Sequence, residues 1–399
     1  MTETPSLAVF GAVPKFRSTV QVGQFHWPEW DLYEKAARGI FDRRYYTAQR
    51  FAGPLVVQFQ QRLQEFLNIK HAIVVRNATN GLMIATHSLR LRGKVIVPSW
   101  TSIATVQSLL WSNCQPVFCD IDPISQQMSL ASTRRLLDEG GVKGILGVHL
   151  WGDAPNVFKL ETLAEEYRAA LYFDAAHAFG CWLGDTSIAT FGRASVFSFH
   201  ASNILSTAEG GCIVTNDDNL AAEFKAMRGD HVVGMKVSVQ SATARMSEMQ
   251  AAIGLALLDE FDCYRQHNEE QHSLYQARLS SIPGVTVLRP ETVSRSNFQQ
   301  LVCVIDAGEF GLTRDELIAV LQKENVAATK GFYPLTHAVA PFANAPADQL
   351  NNTERAGLTT LQLPLGALVT VDHVERICDI IAAAHAYADL IRAGLGRGR

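Results

Sequence analysis

No apolar run in the 399 residues approaches the ~18 needed to cross a bilayer, which excludes a helical membrane span. A basic stretch followed by an apolar one is missing from the first residues, MTETPSLAVFGAVPKF, so no signal peptide and a cytoplasmic location are expected. The chain has no excess of basic charge: its formal net charge is −4 and its pI is near 6.3, which argues against nucleic acid and membrane surfaces as partners. Its seven cysteines, at positions 114, 119, 181, 212, 263, 303 and 378, form no CxxC pair. Most sit in apolar runs and read as reduced core thiols, with no metal site expected. What is present is ordinary for a large globular enzyme-sized chain: 47% hydrophobic and 19% charged residues, enough to bury a sizeable core.

Short apolar runs alternate with helical patterns from about residue 70 to 215. Strands are predicted over 72–75, 95–97, 116–120, 144–149, 171–173, 196–199 and 212–214, with helices over 30–42, 55–67, 82–91, 103–111 and 160–167. This alternation predicts an α/β fold with a mostly parallel sheet covered by helices on both faces. Ligands of such sheets collect beyond the carboxyl ends of the strands. Thr79, Ser102, His149, Asp174 and the 198–203 loop fall there. After residue 217 the chain turns helical, with a long amphipathic segment over 245–261. Strands at 286–288 and 301–305, a helix over 313–324 opened by a Thr-x-x-Glu capping box, and a final helix over 371–387 predict a smaller C-terminal α+β domain. The expected division is a large domain with an N-terminal arm over 1–262 and a small domain over 263–399.

Three stretches carry candidate chemistry. Arg76-Asn77-Ala78-Thr79-Asn80-Gly81 lies between a strand and a helix, where free N–H groups and the helix dipole suit an anion; a plain N-cap is the alternative. Asp174-Ala175-Ala176-His177 sets a carboxylate and an imidazole just past a strand. A carboxylate so placed could hold the N–H of a pyridinium ring and keep that ring an electron sink. The run Ser198-Phe199-His200-Ala201-Ser202-Asn203 leaves one strand, and Glu209-Gly210-Gly211 enters the next, either as a functional loop or as a tight turn.

These stretches occur in one order with others: NATNGL (77–82), VPSWTSIAT (97–105), PVFCDIDP (116–123), GVHLWG (147–152), FDAAHAFG (173–180), FSFHASN…EGGCIVTNDD (197–218), RMSEMQAAIGL (245–255) and FYPLTH (332–337). In this order the chain resembles the DegT/DnrJ/EryC1/StrS family of sugar aminotransferases over nearly its whole length. The resemblance implies the type I fold of pyridoxal-phosphate-dependent transferases, with a seven-stranded-type sheet. It also implies a homodimer with the active site at the interface, and a nucleotide-linked keto-sugar or related biosynthetic intermediate as substrate. Position by position, Ala78, Thr79 and Ser198 match the phosphate contacts of pyridoxal phosphate, and Asp174 matches the carboxylate on its ring nitrogen. His177 falls where the family has Gln or His against the ring.

The sequence departs from the family at three positions. Asn203 stands where the family has its Schiff-base lysine. Ser102 stands where an aromatic often stacks on the ring, and Thr243 where an asparagine from the partner subunit reaches the phosphate. An amide can neither form the covalent link nor move protons as the lysine does. The resemblance therefore implies pyridoxal or pyridoxamine phosphate held non-covalently, with His200 and Lys330 as candidate substitutes for the lysine. The alternatives are a pyridoxamine-phosphate-dependent sugar dehydratase, an enzyme using the old cleft without cofactor, and a catalytically silent partner subunit. Restoring the amine by Asn203→Lys is the expected way to tell a cofactor site from an abandoned one.

Overall fold

The computed structural model describes residues 7–44, 46, 53–230 and 241–395. Nine strands precede residue 216: β1 His71–Val75, β2 Gly93–Pro98, β3 Cys114–Cys119, β4 Val142–Val148, β5 Ala170–Asp174, β6 Trp182–Leu183, β7 Thr186–Ser187, β8 Ser195–Ser198 and β9 Gly211–Thr215. Seven of them form one sheet in the order β1-β9-β8-β5-β4-β2-β3, and β6 and β7 make a small separate ribbon. β9 runs antiparallel to both its neighbours, and the other adjacent pairs are parallel.

The strands are apolar on both faces, as a doubly covered sheet requires. On β1 and β2, Val74 and Ile96 point into one core. Ile73, Val75, Val95 and Val97 point into the other. The first core is closed by the helices Pro54–Leu67, Val157–Glu166 and Glu248–Asp259, and the second by Ala78–Ser88 and Ile103–Trp111. The strand–helix alternation read from the sequence is therefore the observed architecture.

A second, antiparallel sheet contains β10 Val285–Val287, β11 Leu301–Ile305 and β12 Thr360–Leu363, in that order. The helices Phe261–Leu279, Arg314–Lys323 and Val371–Ala386 enclose its core. The start of the described chain packs here: Leu7, Phe16 and Val20 are buried in this core. The buried Glu324 carboxylate fixes that segment by accepting from the Ala8 and Lys15 amides at 2.6 and 2.7 Å.

Several boundaries differ from the sequence reading. The helix expected from 82 begins at Ala78, because the Asn77 side chain caps it by accepting from the Asn80 amide. The helix Val371–Ala386 is not the last one. The chain turns at Tyr387, and a further helix, Ala388–Leu395, buries Ile391 in the C-terminal core. The helix Leu130–Asp138 and β12 were not foreseen. The expected capping box is present, with the Thr313 hydroxyl and the Glu316 carboxylate each serving the other's backbone amide.

Candidate active site

Gly211 organises the first half of the site. In the sheet it pairs with Val75 on one side and Ser198 on the other, so the turn after β1 and the loop after β8 emerge at the same sheet edge. A Cβ on Gly211 would lie 2.7 Å from the Ala78 amide nitrogen and 2.9 Å from the Asn77 carbonyl carbon, so the turn sits tight against β9. Gly81 does the same one turn on, where a Cβ would meet Val196 at 2.7 Å. The helix Ala78–Ser88 thus presents its first turn at the strand ends. Asn77 satisfies the Asn80 amide, while the Ala78 and Thr79 amides take no partner among the described residues. Free amides and the positive helix end make this turn an anion cradle.

Asp174 ends β5, beside β8 in the sheet, and is buried. Thr105 donates its hydroxyl to one carboxylate oxygen at 2.7 Å, and the Ala176 amide donates to the other at 3.1 Å. Burial pushes this carboxyl's pKa up, and those two hydrogen bonds pull it back. A buried carboxylate with two donors still has unused lone pairs, and a cationic ring N–H is a fitting third donor.

His177 lies in an aromatic wall, near-parallel to Trp151 and Phe332 with ring centroids 5.4 and 5.9 Å away. Trp100 joins the wall, and Gln126 ties the two indole N–H groups together at 3.1 and 3.2 Å. Desolvation lowers the His177 pKa to about 4, so its ring is neutral. Its Nε2 lies 3.3 Å from the Gln300 side-chain nitrogen, and its buried Nδ1 has no partner among the described residues. An orphaned ring nitrogen in this wall is consistent with a polar ligand group arriving there.

Asn203 is buried in the loop between β8 and β9. Its amide nitrogen donates to the Ser198 carbonyl at 2.9 Å, and its amide oxygen accepts from Gln299 at 3.2 Å. His200 is exposed and points elsewhere. Its Nδ1 meets the Ser202 hydroxyl at 2.9 Å, and its Nε2 lies 3.7 Å from a Glu209 carboxylate oxygen. Lys330 is engaged by Asp315 at 2.7 Å and lies 5.0 Å from the centre of the Tyr333 ring. Ser102 is exposed and caps the helix Ile103–Trp111 through the Ala104 amide, which explains a serine there. Thr243 is exposed, in a left-handed conformation with φ of 45°.

The structure thus gathers Ala78, Thr79, Asp174, His177, Ser198 and Asn203 at one edge of the sheet, with Ser102 at the start of the neighbouring helix. His149 does not join them. Its ring is fully buried, stacked on Phe173 with centroids 4.4 Å apart, and neither ring nitrogen has a partner among the described residues. Thr105 and Gln299 were missed by sequence reasoning. The signal for Gln299 was four polar residues, Ser296, Asn297, Gln299 and Gln300, gathered just before the apolar run of β11.

Comparison with known proteins places this geometry in context. Residues 43–382 match the DegT/DnrJ/EryC1/StrS aminotransferase family. The dTDP-4-amino-4,6-dideoxy-D-glucose transaminase of Shigella dysenteriae is 29% identical over 331 residues, 82% of this chain and 90% of that protein. The GDP-perosamine synthase of Caulobacter vibrioides is 30% identical over 334 residues, covering 82% and 88% of the two chains. The crystal structure of DesI in the presence of its TDP-sugar product superposes with a TM-score of 0.92 at 32% identity, over 97% of this chain and 98% of that one.

Proposed function

The chain belongs to the DegT/DnrJ/EryC1/StrS aminotransferase family, and from that premise we propose that it is an enzyme acting on a nucleotide-linked keto-sugar, with pyridoxal or pyridoxamine phosphate held non-covalently. The Ala78 and Thr79 amides and the Ser198 hydroxyl bind the phosphate. Asp174, kept in place by Thr105, accepts the ring N–H, and His177 contacts the ring from the aromatic wall. Bound there, the cofactor supplies an electron sink for chemistry next to the sugar carbonyl. The active unit is a homodimer, in which the partner subunit's Thr243 approaches the phosphate.

The buried Asp174 carboxylate, with donors on only part of its lone pairs, is the observation that carries this reading. An empty buried carboxylate is costly, and a cationic ring relieves the cost. Asn203 sets the limits of the chemistry. Its amide orients groups by hydrogen bonds but neither bonds covalently to the cofactor nor carries a proton. Bound pyridoxamine phosphate would supply the amino group itself, and the proton carrier would be a group other than Asn203 and other than the exposed His200, which is turned to Ser202 and Glu209. Such a site suits sugar dehydration as well as amine transfer. A silent partner subunit is the second reading, favoured by the two hydrogen bonds that tie both ends of the Asn203 amide to the protein itself. Retention of pyridoxamine phosphate after gel filtration, with Asp174→Ala as control, tests the proposal. Retention abolished by the substitution supports it, and no retention by the native protein turns the reading to the silent subunit.

A further inference from the structure

The loop that carries Asn203 is held by a chain of side-chain amides drawn from distant parts of the sequence. Gln299 donates from Nε2 to the Asn203 Oδ1 at 3.2 Å, and its own Oε1 accepts from the Ile204 amide at 3.1 Å. The Gln299 backbone is fixed as well: its N–H donates to Asn297 Oδ1 at 2.9 Å, and its carbonyl accepts from Gln24 Nε2 at 2.6 Å. Gln24 is in turn held by Asn268 at 2.7 Å and contacts His26 at 3.0 Å. Relative exposures are 6% for Asn203, 1% for Gln299 and 0% for Gln24, so water does not substitute for these partners.

The network admits one orientation of each amide. Turning Gln299 over would set its NH₂ against the Ile204 N–H, donor against donor. Turning Asn203 over would set its oxygen against the Ser198 carbonyl and its NH₂ against that of Gln299. Position 203 therefore faces one fixed acceptor, the Ser198 carbonyl, and one fixed donor, the Gln299 NH₂. A carboxamide matches both. An ammonium has only donors and a carboxylate only acceptors, so each clashes with one of the two. We infer that Gln299 is a positioning residue that selects a carboxamide at 203 and excludes the lysine otherwise expected there. It acts on the cofactor only through Asn203, and in that respect the inference rests on the function proposed above.

A reciprocal exchange tests this in the full-length protein. Asn203→Lys takes the acceptor away from the Gln299 NH₂ and brings a cation towards it, and Gln299→Glu sets a carboxylate against the Asn203 oxygen. In the double variant one glutamate oxygen still serves Ile204 and the other accepts from the new ammonium. Each single substitution is expected to lower Tm by about 3 °C or more, and the double variant to recover at least half of the larger loss. Additive losses overturn the inference. Asn203→Asp gives an independent reading, because a protonated carboxyl offers one donor and one acceptor as the amide does. Its Tm deficit against the native protein shrinks between pH 8 and pH 5, and an equal deficit at both overturns the inference. Neither arm needs cofactor. Capture of pyridoxal phosphate is then assayed by borohydride reduction and peptide mass. The double variant is expected to carry the label on the introduced lysine at least tenfold more than Asn203→Lys alone. Recovery of Tm without capture upholds the pairing and counts against the cofactor reading alone, whereas equal capture by both lysine variants overturns the positioning role.

Discussion

His149 gives a sharp prediction about acid stability. It is 0% exposed, stacked on Phe173, and desolvation holds its pKa down at about 3 against an ordinary 6.5. The folded protein keeps this ring neutral, while the unfolded chain protonates it in mild acid. A base with a depressed folded pKa contributes stability that is intact above 6.5 and is lost as the pH falls towards 3. Between pH 7 and pH 5 the linkage integral for this one group amounts to about 1.9 kcal/mol. His149→Phe removes the titration and keeps a flat ring on Phe173. The larger ring costs about 1–3 kcal/mol in packing, and losing two unpartnered buried nitrogens returns a similar amount. Those pH-independent terms cancel when each protein is compared with itself. In urea unfolding at the two pH values, the native protein should lose about 1.9 kcal/mol more than the variant does. Equal losses would refute the argument and mean that the ring finds a proton acceptor or water when folded.

Other expectations follow from single contacts. Thr105→Val leaves Asp174 with one donor and is expected to cost about 1–3 kcal/mol. Asp174 has a raised folded pKa, so its favourable contribution is present below 3.8 and fades as the pH rises through the folded value. The Thr105→Val deficit should accordingly be larger in urea unfolding at pH 7 than at pH 4. Gly211→Ala drives a methyl into the Ala78 amide and the Phe197 carbonyl oxygen, at 2.7 and 2.9 Å, and should lower both Tm and phosphate affinity, measured by calorimetry. Glu248→Ala frees the Leu55 and Val56 amides at the start of the helix Pro54–Leu67, and a loss of about 2–3 kcal/mol in urea unfolding is expected. Lys330→Ala breaks the pair with Asp315 and should leave cofactor retention within about twofold of native, because an exposed ion pair is worth little.

The sheet was legible because its strands are short apolar runs at regular spacing, and periodicity reports burial on two faces directly. Asp174 was legible for a related reason: a carboxylate directly after such a run, at a strand's carboxyl end, has few bland explanations. Thr105 was not, since a hydroxyl inside a helix reads as an ordinary helical residue until the fold turns it toward Asp174. The helix Leu130–Asp138 runs through Ser132-Thr133-Arg134-Arg135 and β12 alternates Thr360-Leu361-Gln362-Leu363, so neither shows the apolar run that marked elements of the same length. The amide network could not be read at all. Gln24 and Gln299 are 275 positions apart, and only packing shows that both are buried and joined. Ser102 illustrates the converse. As a departure from a family pattern it suggested a lost ring contact, whereas locally it is a helix cap with its own reason to be there.

Direct titration of the native protein with pyridoxamine phosphate, followed by gel filtration, an absorbance spectrum and borohydride treatment, tells whether the site holds the cofactor without a covalent link. A retained chromophore is expected that is released on denaturation, lost in Asp174→Ala, and never fixed to the chain by borohydride when pyridoxal phosphate is used instead. No retention at millimolar cofactor, or a reduced phosphopyridoxyl group on Lys330, would contradict this expectation.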